Sequence, residues 1–253
     1  MVFSRGGCEA LFGGHFPEGD RGRLFPSSPG GAGLIHVTGR LTLHQAGGMT
    51  SIDVWAEVRR LRCELADQVE SLSETGLDAP SWCDGWRVRD VLGHLVYLAE
   101  ATQRSVVRDV IGGGFRVDNV LGEAARRLGN EHVPDLACRL RAAAGSRFHV
   151  PGTPAAVALG EVLVHGADAM RPLGLELAVP PQDATTVLDA YWRVGRVAFH
   201  AAPHRGRRLV ADDVEWSRGR GPEVKGRALD LLLFVANRRQ VLGSISGPGV
   251  PTR

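Results

Sequence analysis

Glu161, His165 and Asp168 stand in one short stretch, GEVLVHGAD, at spacings of four and three residues. If this stretch is an α-helix, the three side chains lie on one face, about one turn apart. A carboxylate and an imidazole placed in this way can bind a divalent metal ion. The same spacing is also that of an ordinary solvated ion pair, so the stretch alone leaves both interpretations open.

A second histidine lies upstream on an apolar face. His94 is one turn from Val91 and from Leu98, a position that is typical of a core histidine as well as of a ligand. Two histidines and one carboxylate from facing helices form zinc sites with a fourth position open for water or substrate, whereas closed structural sites are rich in thiolate. His94, Glu161 and His165 are therefore the candidate zinc ligands.

The elements that must position these residues are predicted to be helices. Apolar residues recur at steps of three and four after Met49, and Asp84 is expected to cap the second helix. The predicted helices cover about 51–73, 86–111, 118–145 with a break near Pro134, 154–171 and 182–199. Several long amphipathic helices joined by short loops indicate a bundle.

After residue 204 the sequence no longer has the long helical pattern of the preceding segments. RRLVADDVEW predicts one or two short strands, GRGPEVKG a tight turn, and ALDLLLFVANRRQVL an apolar helix over 228–242. The predicted fold is thus mainly α, a four-helix bundle with a small C-terminal α+β unit.

Three regions follow from these patterns. Residues 1–48 contain glycine pairs and scattered prolines that interrupt every apolar period, so we expect a disordered tail, or a start codon assigned too early with Met49 as the true start. Residues 49–175 are predicted to form a metal-binding helical bundle. Residues 176–253 are predicted to form a connecting helix and a small α+β domain.

Composition excludes several classes of protein. The net charge of +2 is too small to indicate nucleic acid or an anionic membrane as a partner. The four cysteines are far apart, which is not the spacing of a disulfide framework, and there is no apolar signal segment, so a cytoplasmic location is expected. Arginine makes up 29 of the 30 basic residues, with Lys225 the sole lysine, which suggests a bacterium with a GC-rich genome.

Three segments together resemble a known family. APSWCDGWRVRDVLGHLVYLAE at 79–100 is similar to the first signature of the mycothiol-dependent maleylpyruvate isomerase family, part of the DinB-like superfamily. GEVLVHGADAMRPLG at 160–174 resembles its second signature, E-x-x-x-H-G-x-D with a Leu-Gly end. LVADDVEWSRGRGPEVKGRALDLLLFVANRR is similar to the C-terminal segment of many members.

The resemblance implies a DinB-like bundle in which His94, Glu161 and His165 bind zinc or another divalent metal. Asp168 has no direct ligand role in that scheme; it is expected to orient a histidine or the backbone, or to form a helix-end salt bridge. The family's last helix commonly ends in Gly-Arg, where this chain has Asn-Arg, and the retained Arg238 can meet an anionic substrate or a thiol cofactor. Cys83 has no histidine partner visible in the sequence and is interpreted as structural.

The resemblance also implies a function. Mycothiol is the expected cosubstrate, in an actinobacterial host, and it is activated as a thiolate for S-transfer to a small electrophile or for cis–trans isomerisation. The nucleophile is then the bound thiol and no protein side chain. Two alternatives remain open: a non-enzymatic metal- or ligand-binding bundle, and a zinc hydrolase.

Overall fold

Helices make up most of the structure, a computed structural model that describes residues 51–112, 117–150, 152–194 and 204–251. The predicted tail at 1–48 lies outside the described residues, as does the end of the helix predicted at 182–199. The helices are α1 (Ser51–Glu70), α2 (Glu74–Asp78), α3 (Val88–Glu100), α4 (Gln103–Gly112), α5 (Val117–Gly129), α6 (Val133–Ala142), α7 (Ala156–Met170), α8 (Pro181–Val194) and α9 (Ala228–Val235). Two 3-10 helices cover Arg171–Leu173 and Arg239–Gly243.

The bundle is built around α7. Thirteen of the fifteen residues of α7 are buried, because helices pack on nearly all its sides. α1 and α3 each contact α7, α6 packs on α1, and α5 packs on α3. The successive helices α5 and α6 both contact α3, and α1, α3, α5–α6 and α7 form the predicted four-helix bundle.

A close crossing holds α3 against α5. A Cβ atom on Gly93 would lie 2.3 Å from the carbonyl oxygen of Ala125, and one on Gly129 would lie 2.6 Å from that of Arg89. No side chain fits at such distances, so glycine at both positions lets the two backbones touch. His94 follows Gly93 directly, and this crossing fixes the height at which His94 enters the bundle.

Two helix boundaries differ from the predictions. The second predicted helix is divided into α3 and α4, because Ala101 is extended and Thr102 and Ser105 cap α4 reciprocally, each side-chain oxygen accepting the other's backbone N–H at 3.1 and 2.9 Å. Asp84 does not cap α3. The helix begins after Arg87, whose N–H donates to the Asp90 carboxylate at 2.9 Å.

The C-terminal unit is a three-stranded sheet with a helix. β1 (Arg208–Ala211) lies between β2 (Ser217–Gly219), which is antiparallel to it, and β3 (Glu223–Gly226), which is parallel. The prediction of a turn at GRGPEVKG is wrong for its second half, since Val224 is buried and pairs with Leu209. α9 packs on β1, β3 and α8, and its end is at Val235, earlier than predicted.

The prediction of a mainly α fold with a four-helix bundle and a small α+β unit is confirmed. The helix α8 contacts both α7 and α9, and the exact domain boundaries stay predictions. Within the described ranges, no helix has both the length and the apolar character that crossing a lipid bilayer requires.

Candidate metal centre

The loop between α2 and α3 is folded tightly onto α7. The Ser81 hydroxyl donates to the Trp86 carbonyl oxygen at 2.9 Å, and the Trp82 N–H donates to the backbone carbonyl of Asp168 at 3.0 Å. The Arg171 guanidinium lies 5.7 Å from the centre of the Trp82 ring, within the range of a cation–π contact. These contacts place Cys83 over α7.

The three predicted ligands are brought together where α3 faces α7. Glu161 and His165 share one face of α7, and His94 approaches from α3 with its ring centre 4.8 Å from that of His165. Oε2 of Glu161 lies 3.3 Å from Nε2 of His165 and 3.7 Å from Nε2 of His94. The His94 side chain is 6% exposed and that of Glu161 33%, so the group is reached from the Glu161 side.

These distances suit a shared metal ion. Two ligand atoms that each lie about 2.0–2.1 Å from a tetrahedral zinc ion are about 3.3–3.5 Å apart. The contact of 3.7 Å between His94 and Glu161 is too long for a hydrogen bond. The donor atoms of His94, Glu161 and His165 all lie within 4.8 Å of one another, so the residues fit such an ion. Metal binding itself stays a prediction.

Asp168 lies behind His165, on the side away from Glu161. Its Oδ2 atom is 3.0 Å from Nδ1 of His165, and the side chain is fully buried. A proton on Nδ1 that is donated to Asp168 leaves the lone pair of Nε2 directed at Glu161. This contact fits an orienting role for Asp168, which stays a prediction.

Arg238 reaches this group from the end of α9. Asn237 adopts a left-handed conformation with φ of 64°, and the Arg238 N–H donates to the Leu233 carbonyl at 2.9 Å. This is the helix ending that glycine usually makes, and asparagine tolerates it. The Asn-Arg departure from the family pattern therefore leaves the geometry of the helix end intact.

The guanidinium of Arg238 is hydrogen-bonded within the protein through all of its nitrogens. Nε and Nη2 donate to the two carboxylate oxygens of Asp168 at 2.9 and 2.5 Å, and Nη1 donates to the Ala236 carbonyl at 2.7 Å. All three nitrogens thus have protein acceptors. Contact of Arg238 with a substrate stays a prediction, and the observed contact is with Asp168.

The two histidines have opposite pKa shifts. Burial lowers the pKa of His94. Burial acts on His165 in the same direction, but hydrogen bonds with Asp168, Cys83 and Glu161 outweigh it and raise its pKa well above the usual value. Burial would raise the pKa of the Glu161 carboxyl, yet the two imidazoles hold it well below its usual range. The protein therefore stabilises a positive charge between two carboxylates.

The position of Cys83 beside the candidate ligands was not predicted from the sequence. Its Sγ atom lies 3.0 Å from Oδ2 of Asp168 and 3.6 Å from Nδ1 of His165, and Cys83, His165 and Asp168 form a second group with donor atoms within 4.8 Å. The interpretation of Cys83 as structural rested on the absence of a histidine partner, which the fold supplies from α7. The place of Cys83 in the family-like segment 79–100, directly before the helix that carries His94, was the signal that could have indicated it.

A cleft opens beside the three candidate ligands. Its empty space is about 490 Å³, part of which is open to solvent. Its wall combines apolar side chains with a few polar ones: Arg62, His94, Leu98, Leu121, Phe148, His149, Val150, Val157, Ala158 and Glu161. Two of the three candidate ligands therefore face this space.

The fold and the site define a helical-bundle protein with a candidate divalent-metal centre between α3 and α7. Residues 58–170 match the family model described as the mycothiol maleylpyruvate isomerase N-terminal domain, so this part of the chain is similar to that family. The resemblance seen in the sequence is confirmed, and the family is one of enzymes.

Two solved structures share the fold. One is a crystal structure of the mycothiol-dependent maleylpyruvate isomerase, with a TM-score of 0.52 and 12% identity, and the match covers 81% of this chain and 95% of that one. The other is a histidine-to-alanine mutant of the mycothiol-dependent maleylpyruvate isomerase, with a TM-score of 0.53 and the same identity and coverage. Among curated proteins, none matches the chain in sequence.

Proposed function

We propose that this chain is a zinc-dependent, mycothiol-using enzyme that transfers the activated thiol to a small electrophile or uses it to isomerise a conjugated double bond. The observation that carries the proposal is the placement of Nε2 of His94 and Nε2 of His165 at 3.7 and 3.3 Å from one carboxylate oxygen of Glu161. The similarity of residues 58–170 to a mycothiol-using family supports mycothiol as the thiol.

The three ligands would leave one tetrahedral position open. A zinc ion held by His94, Glu161 and His165 would supply a low pKa for a bound thiol, so that the thiolate exists at neutral pH. Glu161 contributes one negative charge, which leaves the ion with net positive charge to stabilise that thiolate. We place the reaction in the cytoplasm, with a small-molecule thiol and an electrophilic substrate as partners.

The surrounding residues have supporting tasks. Asp168 accepts the Nδ1 proton of His165 and keeps Nε2 free for the metal, and Arg238 holds Asp168 in place through two hydrogen bonds. Trp86 contacts the His94 ring edge-on, with ring centres 5.4 Å apart, and limits its rotation. The apolar wall of the cleft excludes water from the side on which an electrophile would approach.

A thiol-conjugation assay tests the proposal. Zinc-loaded protein is incubated with mycothiol and monochlorobimane, a small electrophile that becomes fluorescent on conjugation. We expect conjugation above the rate without protein, and its loss in His165→Ala. His132→Ala, at an exposed position before α6, is the matched control and should keep the rate.

The same assay separates the alternatives. Absence of conjugation with zinc bound would contradict the proposal and favour a non-enzymatic metal-binding bundle. Cleavage of an ester or amide without any thiol would instead favour a hydrolase that uses water as nucleophile.

A further inference from the structure

Arg62 is a buried cation without a carboxylate partner among the described residues. It lies on α1 with 3% of its surface exposed, and its hydrogen bonds all come from Nη1, to the carbonyl oxygens of Ala143, Ala144 and Ser146 at 3.3, 3.4 and 2.9 Å. Burial lowers the pKa of Arg62 to about 10, which leaves it charged at neutral pH. A buried charge is costly unless an opposite charge meets it.

The contacts of Nη1 have a structural purpose. They satisfy carbonyl groups at the end of α6, where a positive charge is favourable. They also fix the plane of the guanidinium and leave Nη2 and Nε without a described acceptor. These two nitrogens are not fully enclosed by the protein. Because Arg62 lines the cleft, its small exposed surface opens on that cleft.

The rest of the cleft indicates what would bind there. Leu98, Phe148 and Val157 give it an apolar wall, and Glu161 and His94 lie at the end next to the candidate metal centre. A guanidinium held in one plane with two free donors matches a carboxylate, which accepts two parallel hydrogen bonds. A ligand with an acid group and a short apolar body suits both parts of this surface.

We propose that Arg62 is the anchor for a carboxylate group of the ligand that lies in the cleft between α1 and the centre of His94, Glu161 and His165. The cleft is taken as the substrate side because of the proposed function, and the inference rests on it in this respect. Arg62 would bind and orient the substrate, while the thiol approaches from the metal centre.

Binding of crotonate and of its neutral counterpart crotonamide tests this assignment. The two ligands differ by the charged group alone, and calorimetric titration of the zinc-loaded full chain measures both. We expect the wild type to bind crotonate about ten- to hundredfold more tightly than crotonamide, as for a charge-assisted hydrogen bond. Equal affinities in the wild type would overturn the proposal, and this comparison needs no variant.

Variants of Arg62 then test whether this residue causes the preference for crotonate over crotonamide. Arg62→Met should abolish the preference for crotonate, and Arg62→Lys, which keeps a cation without the planar fork, should weaken crotonate binding several-fold. Arg59→Met, at an exposed position on the same helix, is the matched control and should behave as the wild type. A preference that survives in both Arg62 variants would show that Arg62 only caps α6. If Arg62→Met does not fold, the Arg62→Lys result decides.

The outcome is independent of the conjugation assay. Titration is repeated without zinc, where direct ligation of the carboxylate by the ion cannot contribute. A preference that depends on Arg62 in a protein that fails to conjugate monochlorobimane would uphold the anion site and refute the proposed thiol chemistry. Conjugation without any preference for crotonate would refute the anion site alone.

Discussion

His165 is the side chain on which the candidate centre depends most, because both of its ring nitrogens are engaged. Nε2 faces Glu161 at 3.3 Å, and Nδ1 faces Asp168 at 3.0 Å. The same Nδ1 is 3.6 Å from the thiol of Cys83. Two overlapping sets of ligands thus share His165, and variants of the other members distinguish them.

Removal of single ligands should identify the set that binds zinc. His94→Ala and His165→Ala should abolish stoichiometric zinc, because two protein ligands do not hold the ion. Cys83→Ala should keep about one zinc ion per chain, measured by metal analysis of protein purified with zinc. Full retention of zinc in His94→Ala, or its loss in Cys83→Ala, would show that the set with Cys83 is the site.

Asp168→Asn should lower the affinity for zinc about 10- to 100-fold, the usual cost of losing the group that orients a ligating histidine. The measurement is competition with a chelator of known affinity. Asp230→Asn is the matched control, because Asp230 is also buried and paired with an arginine, Arg171, at 2.6 Å, but contacts no candidate ligand. Both variants should lose stability, and equal zinc affinities in the two would contradict an orienting role for Asp168.

Helices α1 and α8 meet through a pair of carboxyl groups. Burial raises the pKa of Asp183 to about 7, and its hydrogen bond with Glu57 adds to the shift. Burial also raises the pKa of Glu57, but hydrogen bonds from Arg60 and Asp183 outweigh it and lower the pKa. The pair therefore holds one proton, on Asp183, up to nearly neutral pH.

This pair predicts a pH dependence of stability. Since the folded state raises the pKa of Asp183, its contribution to stability is fully present below the unfolded pKa of about 4 and is lost as the pH rises towards 7. The free energy of unfolding should fall by at most about 1.4 kcal/mol per pH unit in this window. Asp183→Asn should flatten the dependence and be more stable than the wild type at about pH 8.

Urea unfolding between about pH 4.5 and pH 8 measures the effect. Asp135→Asn is the matched control, because Asp135 also lies in the first turn of a helix, α6, but is exposed. It should follow the wild-type curve. Parallel curves for Asp183→Asn and the wild type would show that Asp183 does not hold a proton in the folded state.

For the molecule as a whole, periodic patterns in the sequence predicted the helices and buried faces, which depend on residues close together in the chain. The apolar steps of α1, with Val54, Val58, Leu61 and Leu65, give a helix whose buried face is the predicted one. The break of the third predicted helix at Pro134 also agrees with the start of α6. The division of α3 from α4 was missed, since it depends on a reciprocal cap between Thr102 and Ser105 inside an otherwise helical pattern.

The residues of the candidate site also fall into those that a local sequence pattern predicts and those that it does not. The face shared by Glu161 and His165 follows from the period of one helix, while the approach of His94 from α3 was only a possibility in the residue pattern and was supported by resemblance to a family. The contacts of Cys83 and Arg238 with Asp168 join residues far apart in the chain. They depend on how the loop before α3 and the end of α9 pack on α7, which no local pattern encodes.

X-ray absorption at the zinc edge tests the central claim most directly, because it reports which atoms surround the ion before and after mycothiol is added. We predict nitrogen and oxygen neighbours alone at about 2.0–2.1 Å in the zinc-loaded chain, and one added sulfur at about 2.3 Å with mycothiol. Sulfur present before mycothiol would indicate ligation by Cys83. No added sulfur at saturating mycothiol would contradict a zinc site with a position open for the thiol.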